Sequence, residues 1–373
     1  MNLRKTFLCL TLCAILVMTL APITAGAATI GGACGDSLTW TLDDAGTLTI
    51  SGTGAMTEYY SSPDVPWDSL REEIAQVKIS SGVTHIGDTG RFSWGTVPVF
   101  VDGNNPCYSS DSYGVLFNKN KTLLISAPRE MTGSYTVPNT VEELAAFAFV
   151  SSRLTQILLP DNLEIIGDHA FMNCHDLEEI VIPYRVYSIG RLAFSTGYIS
   201  GYIWVDEDNL NFSSDEYGVL FNKDKTILIH APSGLSGSYT VPSTVKTIDM
   251  YSFFSLQYVT EVSIPESVTR IEECAFAGCN RLAVIRGCKG LQDVGRAAFS
   301  GCDSLTDVYY DGTMNQAMRI RIQPQNDSLA NATFHFAPAI AGDMDGDGDK
   351  DTDDAVYLLL NVMFGDEDYP LAQ

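Results

Sequence analysis

Leu177-Glu178-Glu179-Ile180-Val181-Ile182-Pro183-Tyr184-Arg185-Val186-Tyr187-Ser188-Ile189-Gly190-Arg191-Leu192-Ala193-Phe194 decides the fold. Ile180 and Ile182 alternate at the strand period, so both can point to one side of a short strand. Pro183 cannot donate a ladder hydrogen bond and ends that strand. Gly190 allows a turn that residues with a Cβ resist. Phe194 then fills the interior of the coil.

The unit recurs. Aligned on Phe149, Phe171, Phe194, Phe253, Phe276 and Phe299, the steps are 22, 23, 59, 23 and 23 residues. Pro138, Pro160, Pro183, Pro242 and Pro265 keep the same beat, and 59 is one repeat of 23 plus an insertion of 36. A unit this small cannot bury its own apolar face and must stack on its neighbours, which makes the chain a solenoid. A longer duplication lies over the short one: residues 108–144 and 212–248 match at 24 of 37 positions. Each copy predicts a hairpin, in the second copy Gly218 to Phe221 and Thr226 to His230, protruding from the coil. Asp111, Tyr113, Asp215 and Tyr217 are expected near its base, either bracing an enlarged coil or contacting ligand.

The predicted fold class is mainly β, a leucine-rich repeat solenoid of 22–23-residue repeats with a short C-terminal EF-hand-like loop and helix. Residues 1–27 read as a signal peptide: Arg4 and Lys5 precede an apolar run from Phe7 to Leu20, too short to span a bilayer, and Ala25-Gly26-Ala27 offers small residues for cleavage. Residues 28–76 form an N-terminal β cap. The solenoid occupies 77–302, with insertions at about 102–134 and 206–238. A C-terminal cap at 303–336, expected to keep isolated strands, and a linker at 337–342 follow.

The net charge of −24 becomes −26 after cleavage and repels nucleic acid and anionic lipid. The seven cysteines left include Cys174, Cys279 and Cys302, each three residues after a framework Phe, where other units carry Ser152, Gly197 or Leu256. They read as buried structural thiols. A Cys34–Cys107 disulfide and a metal at Cys274, Cys279 and Cys288 are the weaker alternatives. No His-Glu-x-x-His, Gly-x-Ser-x-Gly or phosphate-binding motif occurs, so a non-catalytic protein is expected.

The tail carries a specific chemical pattern. Asp343, Asp345, Asp347 and Asp354 stand at positions 1, 3, 5 and 12 of a loop with Gly348 at position 6; Asp349 would offer its carbonyl and Asp351 would act through water. Alternate oxygens on a tight turn suit Ca²⁺. A solvated acidic run is the plainer alternative. Val356, Leu359, Leu360 and Met363 follow at helical spacing as an apolar stripe that needs a partner.

Residues 29–336 resemble the BspA-type (Treponema pallidum-type) leucine-rich repeat proteins of bacterial surfaces, through Ile-x-Ile-Pro-x-x-Val-x-x-Ile at 180–189 and Ala-Phe-x-x-Cys at 170–174, 275–279 and 298–302. The resemblance implies secretion or surface display and binding roles, often adhesion to proteins, without catalysis. An extracellular protein or glycan is the expected ligand, and no transmembrane anchor is expected because no stretch after residue 27 is apolar enough to span a membrane. The tail, 343–373, is similar to one repeat of a dockerin calcium module. That likeness implies a cohesin-like partner, with Thr352, Asp353, Leu359, Leu360 and Phe364 as its contacts. The alternative function is a structural spacer in an extracellular multiprotein, cellulosome-like assembly, recognised only through the tail.

Overall fold

The computed structural model describes residues 29–59, 64–87, 97–194 and 202–336. The signal peptide, the linker and the whole calcium-loop tail lie outside the described residues. The chain is a β-solenoid. Each coil lays down one strand of about four residues and, after a proline turn, one of two residues, and coils stack in parallel. In Glu179–Ile182 the residues alternate exposed and buried, with Ile180 and Ile182 inward. The coil therefore forms as the alternation requires.

The framework phenylalanines line up in stacks. Phe149, Phe171 and Phe194 have ring centroids 5.5 and 5.4 Å apart and nearly parallel planes. Phe253, Phe276 and Phe299 repeat this at 4.6 and 5.0 Å. Tyr135 and Tyr239 extend the two stacks by one ring each. Beside the rings, Cys174, Cys279 and Cys302 donate their thiols to the carbonyls of Phe149, Phe253 and Phe276 at 3.0, 2.9 and 3.1 Å. Burial pushes the Cys174 thiol up to about 12, which keeps it a protonated donor and not a nucleophile. Cys34 and Cys107 are free thiols.

Around each framework Phe the backbone alternates in hand. The residue two before it has positive φ in every described coil: Phe147, His169, Leu192, Tyr251, Cys274 and Ala297, between 54° and 61°. The residue two after it does the same at Ser151, Asn173, Ser255, Gly278 and Gly301. Most carry a Cβ, for which this conformation costs about 1–2 kcal/mol each. Stacking offsets the cost. The amide groups of Phe147, Phe149 and Ser151 all point one way and donate to Asp168, Ala170 and Met172 of the next coil at 2.8–2.9 Å.

Gly190 resists a Cβ as expected, and the reason is close approach of the neighbouring coil. Its φ is not positive, and a Cβ there would collide with the Asp168 backbone one coil back. Gly167 is equivalent: its Cβ would lie 2.6 Å from the Ala145 carbonyl carbon.

The insertions depart further from expectation. Each forms an antiparallel meander, Tyr108–Ser110, Leu116–Asn118 and Leu123–Ser126, then Phe212–Ser214, Leu220–Asn222 and Ile227–His230. The strands do not protrude. Val115, Phe117 and Leu124 pack into the core of the coils that follow, while Leu116 and Ile125 pack into the core before them. In the second copy Val219, Phe221 and Leu228 face forward and Leu220 faces back. Each meander is a septum with both faces buried, and the core is divided into three blocks.

Two asparagines anchor the septa. Buried Asn209 donates to the carbonyls of Pro183 and Val186 at 2.8 and 3.0 Å and accepts from the amides of Asn211 and Phe212, both at 2.8 Å. Asn105 makes the same four bonds, all at 2.9 Å, in the first copy. Asp111 and Asp215 brace the enlarged coils: each accepts two amides of its own turn and the hydroxyl of Tyr135 or Tyr239, at 2.8 and 2.7 Å. At the C-terminal end, Asp307–Tyr310 and Thr333–Phe336 are not isolated; they pair in parallel and continue the sheet of the third block.

Candidate interaction surface

The longer strands form one sheet per block, and their outward side chains are the ordered surface the molecule presents. The sheets of the second and third blocks differ in kind. In the third, Thr240, Ser263, Arg286, Tyr309 and His335 stand in one row of matched register. The row satisfies itself. Arg286 pairs with Glu261 at 2.9 Å and lies 4.3 Å over the Tyr309 ring, which stacks on His335 at 4.4 Å. His335 in turn meets Asp307 at 2.7 Å, and that hydrogen bond holds the Asp307 carboxyl below its usual range. These groups are exposed, so each pair adds little stability.

The second block shows an apolar row instead. Val181 is paired with Trp204, and Glu179 with Tyr202. Leu158 follows Gln156, the partner of Glu179, by the same two residues as Val181 follows Glu179, and so lies beside Val181. Leu158, Val181 and Tyr202 are 46%, 49% and 51% exposed, and the Tyr202 and Trp204 rings stack at 5.4 Å. The patch lies at the sheet edge, because the chain leaves Val205 for the second septum and Gly237–Thr240 opens the next sheet. Contiguous apolar side chains facing water mark interaction sites, and Trp and Tyr are the residues that most often dominate such contacts.

A crevice of about 340 Å³ lies where the second and third blocks meet, between Ile189–Phe194 and His230, Asp249 and Tyr251. Burial lowers the His230 pKa to about 4 and raises that of Asp249, so at neutral pH the imidazole carries no charge. Among the described residues no group of three or more His, Cys, Asp or Glu could hold a metal, and no helix is long and apolar enough to cross a membrane.

Sequence reasoning placed none of Leu158, Val181, Tyr202 or Trp204 in a site. Its own candidates, Asp343, Asp345, Asp347, Asp349, Asp351 and Asp354 for metal and Thr352, Asp353, Leu359, Leu360 and Phe364 for a partner, lie outside the described residues. Asp111 and Asp215 brace the enlarged coils, whereas Tyr113 and Tyr217 meet Tyr135 and Tyr239 edge-on and remain 60% and 49% exposed.

Among solved structures the chain is similar to a leucine-rich repeat protein from Eubacterium ventriosum, at 24% identity over 83% of this chain and 78% of that one, with a TM-score of 0.54. It is also similar to the pneumococcal vaccine antigen PcpA (17% identity, 83% and 94% of the two chains, TM-score 0.47). A leucine-rich cell surface protein from Faecalibacterium prausnitzii gives 20%, 80% and 99%, and 0.46. No curated protein matches the chain. A family model, the BspA type leucine rich repeat region, matches six copies over residues 130–211 and 235–321. The matched residues are the ones that carry the stacked phenylalanines and parallel coils, so the repeat region of this chain is similar to the BspA type leucine rich repeat region.

Proposed function

We propose that this is an exported, non-catalytic binding protein whose second-block sheet face, at Leu158, Val181, Tyr202 and Trp204, takes an extracellular protein or glycan. The supporting observation is the contrast between the two sheets: one row of side chains satisfies its own polar groups, and the other leaves stacked aromatics facing water. The leader-like residues 1–27 support export. The relative from Faecalibacterium prausnitzii is described as a cell surface protein.

The decisive comparison sets the full chain against a Val181→Arg, Trp204→Ala variant on immobilised extracellular matrix proteins and mucin glycans. Loss of a central aromatic contact costs about 2 kcal/mol or more, so at least a tenfold loss of binding is expected. Undiminished capture by that variant, with capture lost in an Asp345→Ala, Asp347→Ala variant, would transfer recognition to the tail and favour the spacer reading.

The tail belongs to the proposal as a calcium-binding tether, with Asp343, Asp345, Asp347 and Asp354 as carboxylate ligands, Asp349 through its carbonyl and Asp351 through water. A cohesin-like domain is its proposed partner. Titration calorimetry of the full chain should show one Ca²⁺ site, weakened at least tenfold by Asp345→Ala or Asp347→Ala. Equal affinity in wild type and variants would remove the metal.

A further inference from the structure

The C-terminal cap leaves an apolar cleft at the end of the solenoid. The cleft, of about 210 Å³, has Val294 and Phe299, the last framework Phe, on its floor and Met314, Met318, Ile322 and Phe336 around it. Met314 and Met318 are 59% and 75% exposed. The C-terminal cap buries Phe299 and Val294 but leaves these rim side chains facing water, and a contiguous exposed apolar surface of this kind calls for a cover. Apolar spaces of roughly 150 Å³ stay dry and hold a benzene-sized group, so this one has room for inserted aliphatic side chains.

We propose that the cover is this chain's own tail: Val356, Leu359, Leu360 and Met363, one stripe at helical spacing, seat in this cleft. Three observations select it over another copy or a foreign partner. Phe336, which lines the cleft, is also where the described chain stops, and 19 residues separate it from Val356. A tether that short gives an effective concentration on the order of mM, which an untethered partner must exceed. The rim segment Met314–Ile322 carries Arg319 and Arg321, the latter paired with Asp293 at 3.1 Å, and no acid, whereas residues 343–373 hold ten acids and one lysine. Cleft and stripe are thus complementary in both apolar character and charge.

The assignment goes beyond the binding face and does not depend on calcium. It also removes Leu359 and Leu360 from the contacts of a cohesin-like partner. Oxidation of Met318 by dilute hydrogen peroxide, followed by peptide mass spectrometry on the purified full chain, tests it. Met318 should oxidise about tenfold more slowly in the wild type than in a Leu359→Glu, Leu360→Glu variant, at any protein concentration. Equal rates in the two proteins would overturn it. Protection that appears only as the chain dimerises in sedimentation would overturn it too, in favour of a second copy. The substitutions lie outside the described solenoid, so loss of folding does not mimic the expected result.

Discussion

Phe171→Ala is expected to destabilise the second block by about 3–5 kcal/mol, the cost of removing a large aromatic from a close-packed core. Phe171 is fully buried between Phe149 and Phe194, with both neighbours within 5.5 Å, so neither face of the cavity can collapse without breaking the ring register. The thiol of Cys174 and the amide bonds to adjacent coils hold the backbone at its present spacing and prevent relaxation. Hydrogen exchange read block by block is the suitable measurement, because repeat arrays need not unfold in one step. A change below about 1 kcal/mol in the 132–205 segment would mean that the rings are not the source of its stability.

Asn209→Asp should be nearly as damaging although it alters one atom. The oxygen that accepts from Asn211 and Phe212 is retained, but the two donors to Pro183 and Val186 are replaced by a carboxylate facing two carbonyls in a buried site. An uncompensated buried charge costs about 3–5 kcal/mol. The site favours the protonated acid, so the variant's carboxyl will titrate above its usual range. The penalty is therefore full at neutral pH and shrinks as pH falls through that raised value. Urea unfolding at pH 7 and pH 5 checks both the size and the sign; equal deficits at the two values would exclude a carboxylate as the cause.

The periodic phenylalanines, the inward isoleucines and the strand-ending prolines made the solenoid legible before any coordinates, since each inward position repeats the same chemistry. The left-handed positions were not legible. Phe147, His169, Leu192, Tyr251, Cys274 and Ala297 share no side-chain property, and the amides of Phe147, His169, Tyr251, Cys274 and Ala297 donate to a carbonyl of the segment that follows in the stack. The septa do leave a signal in the sequence. Val115-Leu116-Phe117 and Val219-Leu220-Phe221 are unbroken apolar runs, the mark of a strand buried on both faces, and a protruding hairpin would alternate. The proposed binding face was hidden for another reason. Leu158, Val181, Tyr202 and Trp204 come from three coils and meet only through lateral register, and outward positions carry no period to align on.

The two-sided septa also bear on how such a chain lengthens. Single coils stack on one another through equivalent contacts, but the end of a block exposes a phenylalanine stack that must be closed. A septum finishes the compartment behind it and founds the one ahead. The natural cassette is then a septum together with its coils, and the 24 matched positions between 108–144 and 212–248, displaced by 104 residues, are the trace of such a cassette copied whole.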